Sequence, residues 1–289
     1  MIIPTKKLQN GFEMPVYGIG TWEMGGKMER DPRNDDQADI TAIKSAIEMG
    51  VTHIDTAEAY AAGHSETLVG KAIQGYNRKD LFLVSKVKEP NLNYDQIPQS
   101  LQHSLERMQT DYLDVYMIHG PSETIPIEES MKALCELKDK GLIKHIAVSN
   151  FTVERFQAAQ TASSHPIVAG QYHLNLKYRE AEKRGILDHF QKNDVMFIAW
   201  RPLQKGLFNK ESSALLQEMM QKYHKTASQI ALNWLVSQQN VVTLSKTRSI
   251  DHLKENIAAV DFTMEKEDVI KLDQEYPDQE AVSDAVPLI

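Results

Sequence analysis

The segment "LDVYMIHGPSETIPIEESMKALCELKDKGLIKHIAVSN", residues 113–150, holds two apolar runs separated by an amphipathic one. "LDVYMIH" (113–119) and "IKHIAVSN" (143–150) are short runs of strand character. Between them, "IEESMKALCELKDKG" (127–141) spaces its apolar residues three and four apart, as one face of a helix demands. Gly141 stands where a left-handed cap residue closes that helix. Two strands joined through a helix lie parallel in one sheet. Each apolar run also turns polar at its end, one on His119 and the other on Ser149 and Asn150.

The same unit recurs on both sides. Further strand candidates are "VYGIG" (16–20), "HIDT" (53–56), "LFLVSK" (81–86), "IVAGQ" (167–171), "VMFIAW" (195–200) and "VVTLSK" (241–246). Helical periodicity fills the gaps in "DITAIKSAIEMG" (39–50), "QIPQSLQHSLERM" (96–108) and "EKRGILDHFQKN" (182–193). Two helical patterns, at 212–224 and 227–238, precede the last strand. The first fifteen residues read as a hairpin with Asn10-Gly11 as the turn signal. Eight strands, each followed by a helix, predict the α/β class and a closed (β/α)8 TIM barrel, here with an N-terminal β-hairpin. No linker of Pro/Gly/Ser character interrupts the chain, so residues 1–289 are expected to form a single domain. Residues 23–36 read as an extended loop, the acidic run Asp31, Asp35, Asp36 and Asp39 as solvated surface, and residues 277–289 as a tail.

Bulk properties narrow the function. A net charge of −8 argues against a nucleic-acid partner. One cysteine, Cys135, cannot form an internal disulfide and fits a reducing compartment as a small buried hydrophobe. No apolar run approaches the ~20 residues that span a bilayer, and no signal-peptide pattern opens the chain. A cytoplasmic protein without a membrane partner, acting as a monomer, is expected.

Chemistry collects at the strand ends. Asp55, Lys86, His119 and the Ser149-Asn150 pair terminate successive runs at intervals of 31, 33 and 30 residues, about one strand-helix unit. In a barrel all strand C-termini open on one face, so these groups converge there, and Gln171, Trp200 and Lys246 extend the ring. Alone, Asp55 reads equally as a helix cap, Lys86 as a loop lysine and His119 as a core histidine. Together, an acid and an amine in a partly dry mouth need each other to avoid isolated buried charge. Tyr60 lies in the loop just past Asp55, near enough to lean over the same mouth. A phenol is a poor acid at neutral pH, and a neighbouring ammonium favours phenolate, so Lys86 is expected to lower the Tyr60 pKa while Asp55 holds Lys86 charged. The three form a device for general acid catalysis, with His119 orienting a substrate oxygen.

At these residues the chain resembles the aldo-keto reductases over nearly its whole length. The resemblance is carried by "GIGTW" (18–22), "HIDTAEAY" (53–60), "SETLVGKAI" (65–73), "LVSKV" (83–87), "DYLDVYMIH" (111–119), "GLIKHIAVSNF" (141–151) and "LKENI" (253–257). It implies an NAD(P)H-dependent oxidoreductase that reduces small aldehydes and ketones to alcohols by hydride transfer from the nicotinamide. In it Asp55, Tyr60, Lys86 and His119 form the catalytic tetrad and Tyr60 is the general acid. It further implies that Ser149, Asn150 and Gln171 bond the nicotinamide carboxamide and that Trp200 stacks on the ring where a tyrosine is usual. Gly20, Thr21 and Asp55 approach the cofactor, Arg201 and Leu203 flank the pyrophosphate, and Lys246, Thr247, Arg248, His252 and Asn256 form the adenosine-phosphate site. Departures matter. His252 replaces an arginine that commonly grips the 2′-phosphate, so NADPH is the expected cofactor with NADH use left open. Gly120 replaces a bulkier residue beside His119 and widens the substrate pocket, which Trp22 still walls together with Tyr60 and His119.

Other readings are weaker. "GIGTWEMGG" lacks the helix that a dinucleotide fingerprint needs, the acidic run lacks calcium-loop spacing, and no metal or serine-nucleophile motif is present. Two rival functions use the same barrel: a non-catalytic nicotinamide-binding subunit, and an isomerase or lyase with Lys86 as a Schiff-base nucleophile.

Overall fold

Apolar on both sides, the strand candidates can be satisfied only inside a sheet covered on both faces, and the chain arranges them so. The computed structural model describes residues 2–204 and 213–288. Ser212, Met1 and Ile289, included in the segments above, lie outside the described residues. β1 (Thr5–Lys7) and β2 (Glu13–Pro15) form the antiparallel hairpin. Its loop reverses through Gly11, whose φ of 89° lies in the left-handed region that glycine tolerates. Phe12 from this loop packs edge-on against His145 at 4.8 Å, covering the end of the barrel where the strands begin.

The barrel strands are β3 (Tyr17–Gly20), β4 (His53–Asp55), β5 (Phe82–Val87), β6 (Leu113–Ile118), β7 (Ile143–Ser149), β8 (Ile167–His173), β9 (Met196–Trp200) and β10 (Val241–Ser245). Each pairs in parallel with the next, and β10 closes the ring onto β3. Register explains one glycine. Gly18 sits opposite His53, and a Cβ there would fall 2.4 Å from the His53 ring, so only glycine leaves room for this inward side chain.

Helices cover the outside, bounded much as the periodicity predicts: Gln96–Met108 begins and ends with its apolar pattern, and Ile127–Asp139 ends just before Gly141, at φ 74°. Two expectations fail. The pattern at 182–193 is not one helix but two, Glu180–Lys183 and Ile186–Lys192, because Gly185 at φ 74° reverses the backbone between them. Asp39 is not solvated surface. It is fully buried in the first turn of the helix Asp36–Glu48, where it accepts bonds from the Gly25 backbone N–H and the Asn34 amide. Among the described residues no helix is long and apolar enough to cross a membrane.

Candidate active site

A cleft of about 1240 Å3 opens where the barrel strands end. Asp55 is the last residue of β4, and Lys86 lies near the end of β5. His119 follows β6, tied by its backbone N–H to the Val87 carbonyl at 2.9 Å. The Lys86 ammonium is fully buried and uses all three donors. It reaches Asp55 Oδ1 at 2.6 Å, the Thr56 carbonyl oxygen at 2.8 Å and the Tyr60 hydroxyl at 3.3 Å. The other Asp55 oxygen accepts from Gln171 Nε2 at 2.9 Å, so the carboxylate is held from both sides. Tyr60 starts a tight turn in which Ala61 and Ala62 both adopt positive φ, 51° and 52°. That strained turn is fixed by bonds from the Ala61 and Ala62 N–H groups to the carbonyls of Lys27 and Met28. The phenol ring is wedged edge-on between Trp22 at 5.0 Å and His119 at 5.5 Å.

Electrostatics here departs from expectation in one sign. Burial raises the Tyr60 pKa above the usual phenol value, and the opposing pull of the Lys86 ammonium does not reverse it. Lys86 therefore limits the shift rather than setting its direction. Burial alone would lower Lys86, but Asp55 and then Tyr60 outweigh it and the ammonium is held above its ordinary range. Burial, with Lys86 nearby, drops His119 to about 3, so its imidazole is neutral in ordinary buffers.

Three further rings, His53, His145 and His173, are each lowered to about 4, chiefly by burial. His53 has no hydrogen-bond partner on either ring nitrogen. Each of the four takes up a proton on unfolding below the ordinary histidine value of about 6.5. Stability should therefore hold above about pH 6.5 and fall toward about pH 4, by at most about 1.4 kcal/mol per pH unit for each of the more deeply buried rings and by less for His145, whose partial exposure lets solvent screen its charge. Thermal midpoints across that range test this, and a constant midpoint would contradict it.

The rest of the cleft is built from the predicted residues with two exceptions. Gly20, Thr21, Trp22, Gly120, Ser149, Asn150, Gln171, Trp200, Arg201, Leu203, Lys246, Thr247, His252 and Asn256 all line it beside Asp55, Tyr60 and His119. Lys86 lies beneath Tyr60 rather than on the wall. Arg248 turns away: its guanidinium grips buried Asp39 at 2.5 and 2.9 Å and Asn34 at 2.7 Å. It braces the loop before the first helix instead of presenting its charge to a ligand. Trp200 stacks on His173 at 4.7 Å, and Asn256 bonds Ser245 at 3.0 Å.

Several wall residues were not singled out from the sequence. Glu23 and Met28 come from the loop after β3, Lys88 to Pro90 from the loop after β5, and Asp284 to Val286 from the tail. Glu23 directly follows "GIGTW" (18–22), and that adjacency is its signal in the sequence. The tail gave no signal, because what docks it is remote. Buried Glu180 accepts from the Ser283 and Leu288 backbone N–H groups at 2.7 and 3.1 Å, and His173 pairs with Ser283 at 2.7 Å.

A dinucleotide fits the donor set. The cleft exceeds what a small carbonyl compound needs. The Asn150 side-chain oxygen is buried without a partner, an acceptor awaiting an N–H. At the far end Lys246 and the amino end of the helix Ile250–Ile257 favour an anion.

The aldo/keto reductase family model matches residues 17–276. The chain belongs to the aldo/keto reductase family. It is 32% identical to the methylglyoxal reductase YeaE of Escherichia coli, covering 91% of this chain and 92% of that protein. It is 33% identical to a glyoxal reductase of Bacillus subtilis, over 93% and 91% of the two chains. Among solved structures, the thermostable aldo-keto reductase Tm1743, crystallised with the inhibitor epalrestat, superposes with a TM-score of 0.90 at 40% identity, covering 94% of this chain and 99% of its own. An aldo/keto reductase of Klebsiella pneumoniae in complex with NADP and acetate superposes with a TM-score of 0.84 at 30% identity, over the full length of both.

Proposed function

We propose that this protein reduces aldehyde and ketone carbonyls to alcohols with NADPH, with Asp55, Tyr60, Lys86 and His119 as the catalytic set. The observation that carries the reading is one buried ammonium bonded to Asp55 at 2.6 Å and to the Tyr60 hydroxyl at 3.3 Å, on the floor of a cleft with dinucleotide donors along its wall. Asn150 and Gln171 would hold the carboxamide, Trp200 the ring face and Lys246 with Thr247 the adenosine phosphate. Bound NADPH supplies the hydride.

The side chains supply the rest. Neutral His119 donates an N–H to the carbonyl oxygen and orients it toward Tyr60. As negative charge develops on that oxygen, Tyr60 gives up its hydroxyl proton, and the Lys86 ammonium stabilises the phenolate left behind. A raised phenol pKa suits this role, since the acid must be protonated beforehand and an alkoxide is a far stronger base. Asp55, fixed by Gln171, keeps Lys86 charged and aimed. A Schiff-base role for Lys86 is disfavoured by the same facts, because a nucleophilic lysine needs a lowered pKa and access to substrate.

Relatives named for methylglyoxal and glyoxal make small oxoaldehydes the first substrates to try. Gly120, with no side chain, leaves room for larger ones beside Trp22. Residues 1–289 act as one catalytic unit in this reading, supported by the packing of hairpin and tail on the barrel, and the lone, buried Cys135 supports a reducing cytoplasm as its place.

A carbonyl panel followed by dinucleotide absorbance, run with NADPH and with NADH, tests the reading; binding without turnover across the panel would overturn it. Lys246→Ala should weaken NADPH about tenfold to a hundredfold and NADH about threefold at most, as loss of one charge-assisted contact implies. Equal losses in titrated dissociation constants would move the phosphate site elsewhere.

A further inference from the structure

We propose that Glu23 tunes cofactor choice by competing with the 2′-phosphate of NADPH for Lys246. The inference rests on the functional reading above and assigns a role to a cleft residue outside the catalytic set. Glu23 Oε2 lies 3.8 Å from Lys246 Nζ, the two residues following the paired strands β3 and β10, and Oε1 lies 3.9 Å from Lys27 Nζ. Both Glu23 and Lys246 line the cleft, and the side chain of each is 32% exposed.

As a stabilising contact such an exposed pair is worth little. Its place gives it meaning. Lys246 is the cation at the adenosine end, and Arg248, the other strong cation in that segment, is committed to Asp39. A phosphate arriving at Lys246 shares the ammonium with the Glu23 carboxylate and sits near it, like charge beside like. NADH brings no phosphate to that position and leaves the pair intact. The carboxylate thus taxes NADPH selectively and narrows the gap between the two cofactors.

Backbone geometry sharpens the case. The Met24 N–H donates to the Thr21 carbonyl at 2.9 Å, closing a four-residue turn with Glu23 in its third position. Glu23 has φ 66° there, where glycine or asparagine sits more readily. Glutamate is held in this turn against backbone preference, directly beside Trp22. Charge and strain can be separated by substitution: Glu23→Gln removes only the charge, whereas Glu23→Gly removes both.

The test is titration of NADPH and NADH against the full-length wild type, E23Q, E23G, K246A and the E23Q/K246A double variant, followed by intrinsic fluorescence. E23Q should tighten NADPH about twofold to tenfold and leave NADH within about twofold, with E23G behaving alike. The gain should shrink at high salt and vanish in the K246A background. Unchanged or weakened NADPH binding in E23Q would overturn the proposal. So would an equal gain for both dinucleotides, a gain confined to E23G, or one that survives loss of Lys246. If the wild type binds NADPH and E23Q changes nothing, only the role of Glu23 falls; if the wild type binds neither dinucleotide, the functional reading falls with it.

Discussion

Replacing Tyr60 by phenylalanine should lower kcat for carbonyl reduction by about a hundredfold to ten-thousandfold, the range of a positioned proton donor, while leaving the NADPH dissociation constant within about twofold. Phenylalanine keeps the ring wedged between Trp22 and His119, so the site retains its shape. Only the hydroxyl at 3.3 Å from Lys86 is lost. His119 cannot substitute as the acid at neutral pH, because its pKa of about 3 leaves the ring neutral, able to donate its N–H in a hydrogen bond but not to give that proton up. The pH profile gives a second check. An acid must be protonated to act, so the rate falls as pH rises through its pKa. With Tyr60 raised by burial, that fall in the wild type should lie above the ordinary phenol value of about 10. Steady-state kinetics and a binding titration of the variant measure both parts, and undiminished turnover would remove Tyr60 from its assigned role.

Lys86→Met should cost about 3–5 kcal/mol of folding stability and nearly all activity. The ammonium is wholly buried, and Asp55 is 3% exposed. Removing the amine leaves a nearly buried carboxylate with the Gln171 amide but without its cation, and it leaves the Thr56 carbonyl without its donor. A buried ion pair need not be a net source of stability, yet breaking one side of it is costly, because the uncompensated charge is what remains. The double variant Asp55→Asn/Lys86→Met should recover part of the stability, since no charge is then left in the floor of the cleft, without recovering turnover. Denaturant midpoints decide it: an unchanged midpoint in Lys86→Met would mean that the pair is far wetter than its burial indicates.

The eight strand runs and the intervals between Asp55, Lys86 and His119 are local and periodic features. A strand-helix unit repeats at a nearly fixed length, and closure of the sheet sends every strand end to one rim. The sequence therefore suffices to name the barrel and to gather the polar strand ends at its rim. Tyr60 was legible for the same reason, lying one short turn beyond Asp55. The continuous helix expected over 182–193 failed because periodicity persists across Gly185 while the backbone does not.

What the chain alone determined, then, is the architecture and the roster of polar groups at its rim, because both follow from short-range pattern and a repeated length. Only the tertiary structure decided which groups pair and in what dielectric. Arg248 lies 209 residues from Asp39, and His173 lies 110 from Ser283, so no local pattern announces that the first is withdrawn from the cleft or that the second helps dock the tail. The sign of the Tyr60 shift is of the same kind. Burial and a neighbouring ammonium push it in opposite directions, and their balance depends on how completely distant segments exclude water from one hydroxyl.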